Sequence, residues 1–171
     1  MNDTKVTSVV FLDVDGVLNT RTSCVHAPSG IYVGVDETRL LMLSKAMKKT
    51  YTDGVVLTST WKNLKSDEED YIYLVTSLEK YGIKVLGKTE EERTSQRELG
   101  ILSYLESHPE IEDFVILDDQ HYGFDGYRKL WESFLDTQGK GIEHAVLASK
   151  RPSVQAMLFL DAIRKGEIKW Q

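Results

Sequence analysis

The sequence contains a single cysteine, Cys24, and no long apolar run. One cysteine excludes an internal disulfide and is typical of proteins of the reducing cytosol. No stretch approaches the roughly 20 apolar residues that a membrane-spanning helix needs. The first ten residues, MNDTKVTSVV, lack the apolar core of a signal peptide. We therefore expect a cytoplasmic protein that has no membrane partner.

Proline is scarce, with three residues, and no repeat, low-complexity tract or flexible linker divides the 171 residues. This length predicts a single domain over residues 1–171, with enough chain to bury a core. Acidic residues outnumber basic ones by 27 to 21, which gives a net charge of −6. That charge argues against broad, non-specific attraction to nucleic acid, although it is compatible with a local basic groove.

Short apolar runs alternate with amphipathic stretches along the chain. The runs are nearly continuous, which is typical of strands buried on both faces of a parallel sheet; they are SVVFLDV (8–14), GVVLTST (54–60), IKVLG (83–87), DFVILDD (113–119) and HAVLAS (144–149). Helical spacing predicts helices that begin near residues 36, 66 and 94, and two more at 124–136 and 153–165. The alternation predicts an α/β fold, a Rossmann-like three-layer sandwich with a mostly parallel central sheet.

The segments between the predicted strands are too short for a large cap domain. Residues 17–54 include one predicted helix, residues 60–82 are mostly another, and residues 19–35 are predicted to form a loop or small hairpin. Ligands of such sheets bind beyond the carboxyl ends of the strands. We therefore expect an open site at that edge of the sheet.

Acidic side chains follow two of the predicted strands where those strands end. Asp13 and Asp15 are separated by one residue and precede Gly16, and Asp118 and Asp119 close the fourth run. Each pair alone is also typical of a turn or a helix cap, but their joint occurrence favours a functional site. Four carboxylates in a small volume repel one another unless a cation or protons neutralise them. Oxygen ligands without a Cys/His cluster favour Mg²⁺ over zinc.

Four segments together resemble the haloacid dehalogenase-like (HAD) phosphohydrolase superfamily. They are FLDVDGVLN, VVLTSTW, an arginine that opens a helix, and VILDD. Within the superfamily, the chain is most similar to the small capless HAD domains of Swiss-army-knife RNA repair proteins. The resemblance covers residues 8 to about 142 and includes Ser59-Thr60-Trp61, Arg97…Ile101…Tyr104-Leu105 and Thr137…Gly141-Ile142.

The resemblance implies roles for the acidic and hydroxyl residues. Asp13 would be the nucleophile that forms an aspartyl-phosphate, and Asp15 would be the general acid and base. Ser59 and Thr60 would contact the phosphoryl group. We expect Ser59 rather than Thr58 to reach it, because alternation puts Leu57 and Ser59 on one face of the strand and Thr58 on the other.

The resemblance also implies a cation beside the nucleophile and a set of metal ligands. Arg97 is our first choice for the cation, with Lys88 and Arg93 as alternatives, and both Arg97 and Lys88 are candidate phosphate contacts. The Mg²⁺ ligands would be the Asp13 carboxylate, the Asp15 backbone carbonyl and one residue of the Asp118–Asp119 pair. We favour Asp119 as that ligand, with Asp118 orienting a metal-bound water or the cation.

These features predict a Mg²⁺-dependent phosphatase that works through an aspartyl-phosphate. By analogy with the subgroup, its phosphorylated substrate is expected to be the terminal phosphate of a nucleic acid. Two alternatives stay open. One is a small nucleotidase in which the 19–35 segment acts as a lid, and the other is a non-catalytic module that binds a metal or a phosphate group.

Overall fold

A six-stranded sheet forms the centre of the computed structural model, which describes residues 5–166. The strands are β1 (Ser8–Leu12), β2 (Gly54–Leu57), β3 (Val85–Lys88), β4 (Asp113–Asp118), β5 (Phe134–Asp136) and β6 (Val146–Leu147). Their order in the sheet is β3-β2-β1-β4-β5-β6. All neighbouring pairs are parallel except β5 and β6, which are antiparallel. The predicted α/β fold with a mostly parallel sheet is confirmed.

Helices cover both faces of the sheet. They are α1 (Glu37–Lys49), α2 (Glu69–Lys80), α3 (Arg97–Ser107), α4 (Arg128–Glu132) and α5 (Val154–Lys165). On one face, which contains Leu12, apolar side chains of α1, α2 and α5 join the core. On the other face, which contains Phe11, the core includes residues of α3 and α4. We call these the Leu12 face and the Phe11 face.

The near-continuous apolar runs are explained by this burial on two sides. All five residues of β1 are buried, and they alternate between the two cores because successive side chains of a strand point to opposite faces. β1 is paired with β2 on one side and β4 on the other, so it lies in the middle of the sheet. The residues that follow β1 therefore emerge at the centre of the sheet edge, between the ends of two neighbouring strands.

The prediction of a helix over residues 124–136 is wrong for part of that range. Residues 124–136 were expected to be helical, but α4 covers five residues within that range and the range ends in β5. Phe134 and Leu135 are both fully buried and belong to opposite cores, which is the pattern of a strand with period two. The fifth predicted strand, 144–149, is reduced to the two residues of β6 at the antiparallel edge. Periodicity is a weak signal in segments this short.

Residues 19–35 contain a small hairpin, in agreement with one of the two predicted forms. His26 and Val33 form an antiparallel bridge, and the hairpin is fixed to α2 because the Asp70 carboxylate accepts hydrogen bonds from the backbone N–H and the hydroxyl of Ser29. Within residues 5–166 no segment forms a large cap over the sheet edge. None of the helices in this part of the chain is long and apolar enough to cross a membrane.

Candidate active site

Three carboxylates meet at the carboxyl ends of β1 and β4. The backbone pairing of these strands continues past Leu12, since the N–H of Asp13 donates to the carbonyl of Leu117 at 2.9 Å. Asp13, Asp118 and Asp119 each present a carboxylate oxygen within 4.8 Å of the others. Asp13 and Asp118 are buried, and Asp119 is half-buried. The two acidic motifs of the sequence are thus joined in one cluster, as the parallel order of strands predicts.

Arg97 is the cation that lies against this cluster. It is the first residue of α3, which covers the Phe11 face, and it is only 2% exposed. Its Nη1 lies 2.7 Å from Oδ2 of Asp118 and 3.2 Å from Oδ1 of Asp13. The guanidinium carbon is 4.4 Å from the centroid of the Tyr122 ring. The two other candidate cations, Lys88 and Arg93, are exposed, and Lys88 donates to the backbone carbonyl of Lys62.

The two residues of the Asp118–Asp119 pair have different surroundings. Oδ2 of Asp118 contacts Arg97, while its Oδ1 accepts hydrogen bonds from the backbone N–H groups of Asp119 and Gln120. Both oxygens of Asp118 are therefore engaged by donors. The Asp119 carboxylate instead lies beside Gly16, at the wall of an open cavity. Asp119 is thus the residue of the pair that is accessible to a ligand.

Burial and mutual repulsion change the acidity of the cluster. Burial is the largest cause that raises the pKa of Asp13 well above its usual range, and the neighbouring Asp118 carboxylate raises it further, whereas Arg97 lowers it. Burial likewise raises the pKa of Asp118 to about 6, against the lowering effect of Arg97. Burial is the largest single effect on Arg97 and lowers its pKa, but the neighbouring negative groups, first Asp118 and then Asp13, together raise that pKa above its usual value. In the absence of another cation, the single charge of Arg97 leaves this cluster with excess negative charge.

Gly16 allows the backbone after Asp15 to pass close to the Asp119 carboxylate. Its φ is +84°, a left-handed conformation that L side chains rarely adopt, and a Cβ at this position would lie 2.6 Å from Oδ2 of Asp119. The carbonyl of Gly16 accepts hydrogen bonds from the hydroxyl of Thr137 and the N–H of Gly141. The segment after β5 therefore holds the turn after Asp15 in place.

Asp15 is oriented by two neutral donors that the sequence did not identify. Nδ2 of Asn19 donates to its Oδ1 at 3.0 Å, and the indole Nε1 of Trp61 donates to its Oδ2 at 3.3 Å. Asn19 also donates to the backbone carbonyl of Gly34, which connects Asp15 to the hairpin. Trp61 is fully buried and packs against Tyr32 of the same hairpin. The contact between Asn19 and Asp15 could have been inferred from the sequence, because Asn19 follows Asp15 by four residues in the same tight turn.

The hydroxyl residues after β2 are arranged differently from our expectation. Alternation does put Thr58 and Ser59 on opposite faces, but Thr58 follows Val56 on the Phe11 face, which is the face of Asp13 and Arg97. The hydroxyl of Thr58 is buried with no hydrogen-bond partner among the described residues. The Ser59 hydroxyl accepts from the N–H of Trp61 at 3.3 Å and caps the short 3₁₀ helix Thr60–Asn63. Thr60 is exposed.

A buried ion pair, also absent from our predictions, lies next to the site. Nζ of Lys62 contacts the Glu91 carboxylate at 2.5 Å and donates to the hydroxyl of Thr89 at 2.9 Å. Burial is the main cause that lowers the pKa of Lys62. The pair joins the segment after β2 to the segment that precedes α3. Because Glu91 already neutralises Lys62, this lysine is not a second free cation for the carboxylates.

The residues of the cluster fit a hard divalent cation. Carboxylate oxygens are the preferred ligands of Mg²⁺ and Ca²⁺, and three of them converge here without a cysteine or histidine ligand among the described residues. The turn at Gly16 leaves space beside Asp119 that a side chain would fill. The Asp15 carboxylate is not one of the converging groups, so only its backbone carbonyl remains as the expected ligand atom. The buried acidic triad is therefore suited to a metal ion.

Comparison with known families agrees with this geometry. Residues 9–145 match the model of a family described as the HAD domain in Swiss Army Knife RNA repair proteins. The matched range contains all the candidate site residues named above. No curated protein matches the chain. The family match indicates a domain of the phosphatase type, and its acidic triad is suited to a metal ion.

The raised pKa values of Asp13 and Asp118 predict how stability depends on pH when divalent cations are removed. The folded protein keeps protons on Asp13 and Asp118 that the unfolded chain releases near pH 4, so their stabilising contribution is complete below about pH 4. It is lost as the pH rises through the folded pKa values, and the shift of Asp118 to about 6 corresponds to roughly 3 kcal/mol. Urea unfolding with chelator should therefore show that the wild type loses stability between about pH 4 and pH 7 relative to Asp13→Asn. Parallel pH profiles would contradict the proposed repulsion.

Proposed function

The chain belongs to the family of HAD domains in Swiss Army Knife RNA repair proteins, and on that basis we propose that it is a Mg²⁺-dependent phosphatase that works through an aspartyl-phosphate. The observation that carries this proposal is the position of Asp13. Its carboxylate is buried at the end of the central strand, 3.2 Å from Arg97 and within reach of Asp119. A purely structural carboxylate would not need two further carboxylates beside it.

In the proposed first step, an oxygen of Asp13 attacks the phosphorus of a phosphomonoester. A bond forms between this oxygen and phosphorus, and the bond from phosphorus to the leaving oxygen breaks. Asp15 supplies the proton that the leaving oxygen takes. Asn19 and Trp61 support this role because they hold both oxygens of Asp15 at the cavity wall. Arg97 offsets charge on Asp13 and on the phosphoryl group.

In the proposed second step, Asp15 accepts a proton from a water molecule as that water attacks the phosphorus. The bond between phosphorus and the Asp13 oxygen breaks, inorganic phosphate is released and both aspartates return to their first state. The residues proposed to hold Mg²⁺ are Asp13, the backbone carbonyl of Asp15 and Asp119. When bound, the ion would neutralise negative charge and polarise the phosphoryl oxygens. Asp118 would not ligate the ion but would position Arg97, in line with its contact to that residue.

Three hydroxyls that follow β2 are candidates for the contact to the phosphoryl group. Ser59 and Thr60 were proposed from the family resemblance, and the geometry adds Thr58. Its unpartnered hydroxyl is on the same side of the sheet as Asp13, whereas Ser59 already caps a helix. We therefore propose Thr58 as the principal contact and Ser59 as a residue that shapes the turn before Trp61.

The substrate is proposed to be a phosphate at the end of a nucleic-acid strand. The family supports this, because its domains occur in RNA repair proteins. The cavity beside Asp15 and Asp119 has no large cap over it within residues 5–166. An open site of this kind admits the end of a polymer. A small nucleotidase remains as an outcome that a substrate panel would reveal.

Phosphate release from p-nitrophenyl phosphate, with and without Mg²⁺, tests the proposed activity. We expect turnover that chelator abolishes and Mg²⁺ restores, because the ligands are oxygen atoms. Asp13→Asn should retain at most a few per cent of the rate and keep the fold, as judged by circular dichroism. Activity that survives chelation, or that persists in Asp13→Asn from a clean preparation, would exclude the proposed mechanism. A panel of nucleotides and phosphate-ended oligonucleotides then identifies the substrate class.

Asp15 and Asp119 should give different signatures when each is replaced by Asn. Asp15→Asn keeps the backbone carbonyl but removes the proton donor, so the loss should be about 100-fold or more with alkyl phosphates and smaller with p-nitrophenyl phosphate. Asp119→Asn weakens a metal contact, so its activity should recover in part at high Mg²⁺. Rates of both variants against both substrates and a range of Mg²⁺ concentrations make the comparison. Rescue of Asp15→Asn, but not of Asp119→Asn, by Mg²⁺ would mean that the roles are reversed.

The variants Thr58→Val and Ser59→Ala distinguish the roles of the two hydroxyls in activity and stability. Thr58→Val preserves shape and removes an unpartnered hydroxyl, so stability should be nearly unchanged while kcat/KM falls about tenfold or more. Ser59→Ala removes a cap, so it should cost about 1 kcal/mol of stability with a smaller effect on kcat/KM. Urea unfolding and steady-state kinetics measure the two quantities. The opposite pattern of activity loss would restore Ser59 as the phosphate contact.

A further inference from the structure

A large open cavity extends from Asp15 and Asp119 to one side of the acidic cluster. Its volume is about 740 Å³, which exceeds what a terminal phosphoryl group alone requires. Its walls come from the turn after Asn19, the first residues after Asp119 and the segment 138–140 that follows β5. Asp15, the proposed proton donor to the leaving oxygen, is at its edge. The cavity is therefore the space into which the leaving group of the substrate extends.

Three cationic side chains line this cavity, although the protein has a net charge of −6. Arg39 is already neutralised, since it forms ion pairs with Asp36 and Glu143. Arg21 and Lys140 are exposed, and neither forms an ion pair with any residue in the range 5–166. Two unpaired cations thus face the leaving-group side of the site.

Both cations are carried by segments that the structure holds in place. Lys140 lies between Thr137 and Gly141, which both hydrogen-bond to the carbonyl of Gly16, and its own carbonyl accepts from Arg39. Arg21 lies in a turn closed by hydrogen bonds in both directions between Thr20 and Ser23. The hydroxyl of Ser23 donates to Asp36, the same residue that binds Arg39. The backbone under each cation is therefore fixed relative to Asp15.

The other lining residues are mostly polar in type, and none of them carries an aromatic ring. It includes Thr20, Thr22, Gln120 and Gln138, with Val33 as the only branched apolar side chain. Bases of single strands are commonly bound by stacking on aromatic side chains, and this cavity offers none. Cations with hydroxyl and amide groups instead suit the phosphates and hydroxyls of a sugar–phosphate backbone.

We propose that Arg21 and Lys140 form a subsite for the phosphodiester adjacent to the terminal phosphate of a nucleic-acid strand, and that the site reads this charge rather than the base. This inference rests on the proposed phosphatase activity. It adds that the preferred substrate carries a second negative charge on its leaving group. It also accounts for two unpaired cations next to the general acid of an acidic protein.

The test compares two dinucleotides that carry the same terminal phosphate. One has a natural phosphodiester and the other a methylphosphonate linkage, in which a methyl group replaces the charged oxygen, and both phosphorus diastereomers of the neutral linkage are measured. Each is prepared with the terminal phosphate at the 3′ or the 5′ end, and the end with the higher kcat/KM is used. For the wild type at low salt we expect kcat/KM to be about tenfold higher for the charged linkage, and we expect added salt to reduce this ratio.

The double variant Arg21→Gln/Lys140→Gln should bring the ratio close to one by lowering kcat/KM for the charged linkage. The control variant Lys150→Gln/Arg151→Gln removes the same charge from exposed residues outside this cavity and should keep the wild-type ratio. A wild-type ratio near one, an unchanged ratio in the first variant or an equal loss in the control would overturn the subsite. In each of these cases turnover of the methylphosphonate substrate would leave the phosphatase proposal intact. Absence of turnover on every substrate would instead contradict the proposed function itself.

Discussion

The arrangement of this site depends on one electrostatic constraint, the confinement of three carboxylates around one guanidinium. Asp13, Asp118 and Asp119 converge within 4.8 Å, and Arg97 contacts two of them. Like charges this close raise one another's pKa, and burial strengthens the effect because the charged forms lose their hydration. Arg97 cannot neutralise the cluster alone. The cluster is therefore most stable with a proton or a bound cation, and this need for positive charge links acidity, metal binding and the binding of a phosphoryl group.

Backbone hydrogen bonds, in addition to side-chain contacts, keep the cluster in place. The ladder of β1 and β4 fixes Asp13, and the segment after β5 holds the turn at Gly16 through Thr137 and Gly141. Asn19 links the same turn to the hairpin and to Asp15. These contacts are formed by residues far apart in the chain. The proposed nucleophile and the proposed acid thus have fixed positions without help from a large cap.

Features of the fold and the site that follow from local composition could be predicted from the sequence. Four apolar runs predicted the parallel strands β1 to β4, and the acidic residues after β1 and β4 predicted a cluster, because parallel strands bring their carboxyl ends together. Phe134 and Leu135 were misassigned because two buried residues fit a helix as well as a strand. The choice between Thr58 and Ser59 as the phosphate contact could not be made from alternation for a different reason. Alternation tells which side chains of one strand share a face, but it does not tell which of them lies on the face of Asp13; that depends on the register in which β2 pairs with β1.

Contacts between side chains that are far apart in the chain cannot be predicted from local composition. Trp61 precedes a lysine and follows a strand, and nothing nearby in the chain indicates that its indole N–H binds Asp15. Lys62 pairs with Glu91, 29 residues away, and only the fold brings them together. The same holds for Arg21 and Lys140, which line one cavity although they lie on segments separated by most of the chain.

The proposed mechanism requires that Asp13 becomes covalently phosphorylated. Acid quenching of a single turnover, with a substrate that carries radiolabelled phosphate, measures this directly. We expect label to appear transiently on the protein, in the peptide that contains Asp13, and to decline as inorganic phosphate is released. Full conversion of substrate to labelled phosphate, with no label on the protein at any time of quenching and no covalent intermediate in the slower Asp15→Asn variant, would contradict it.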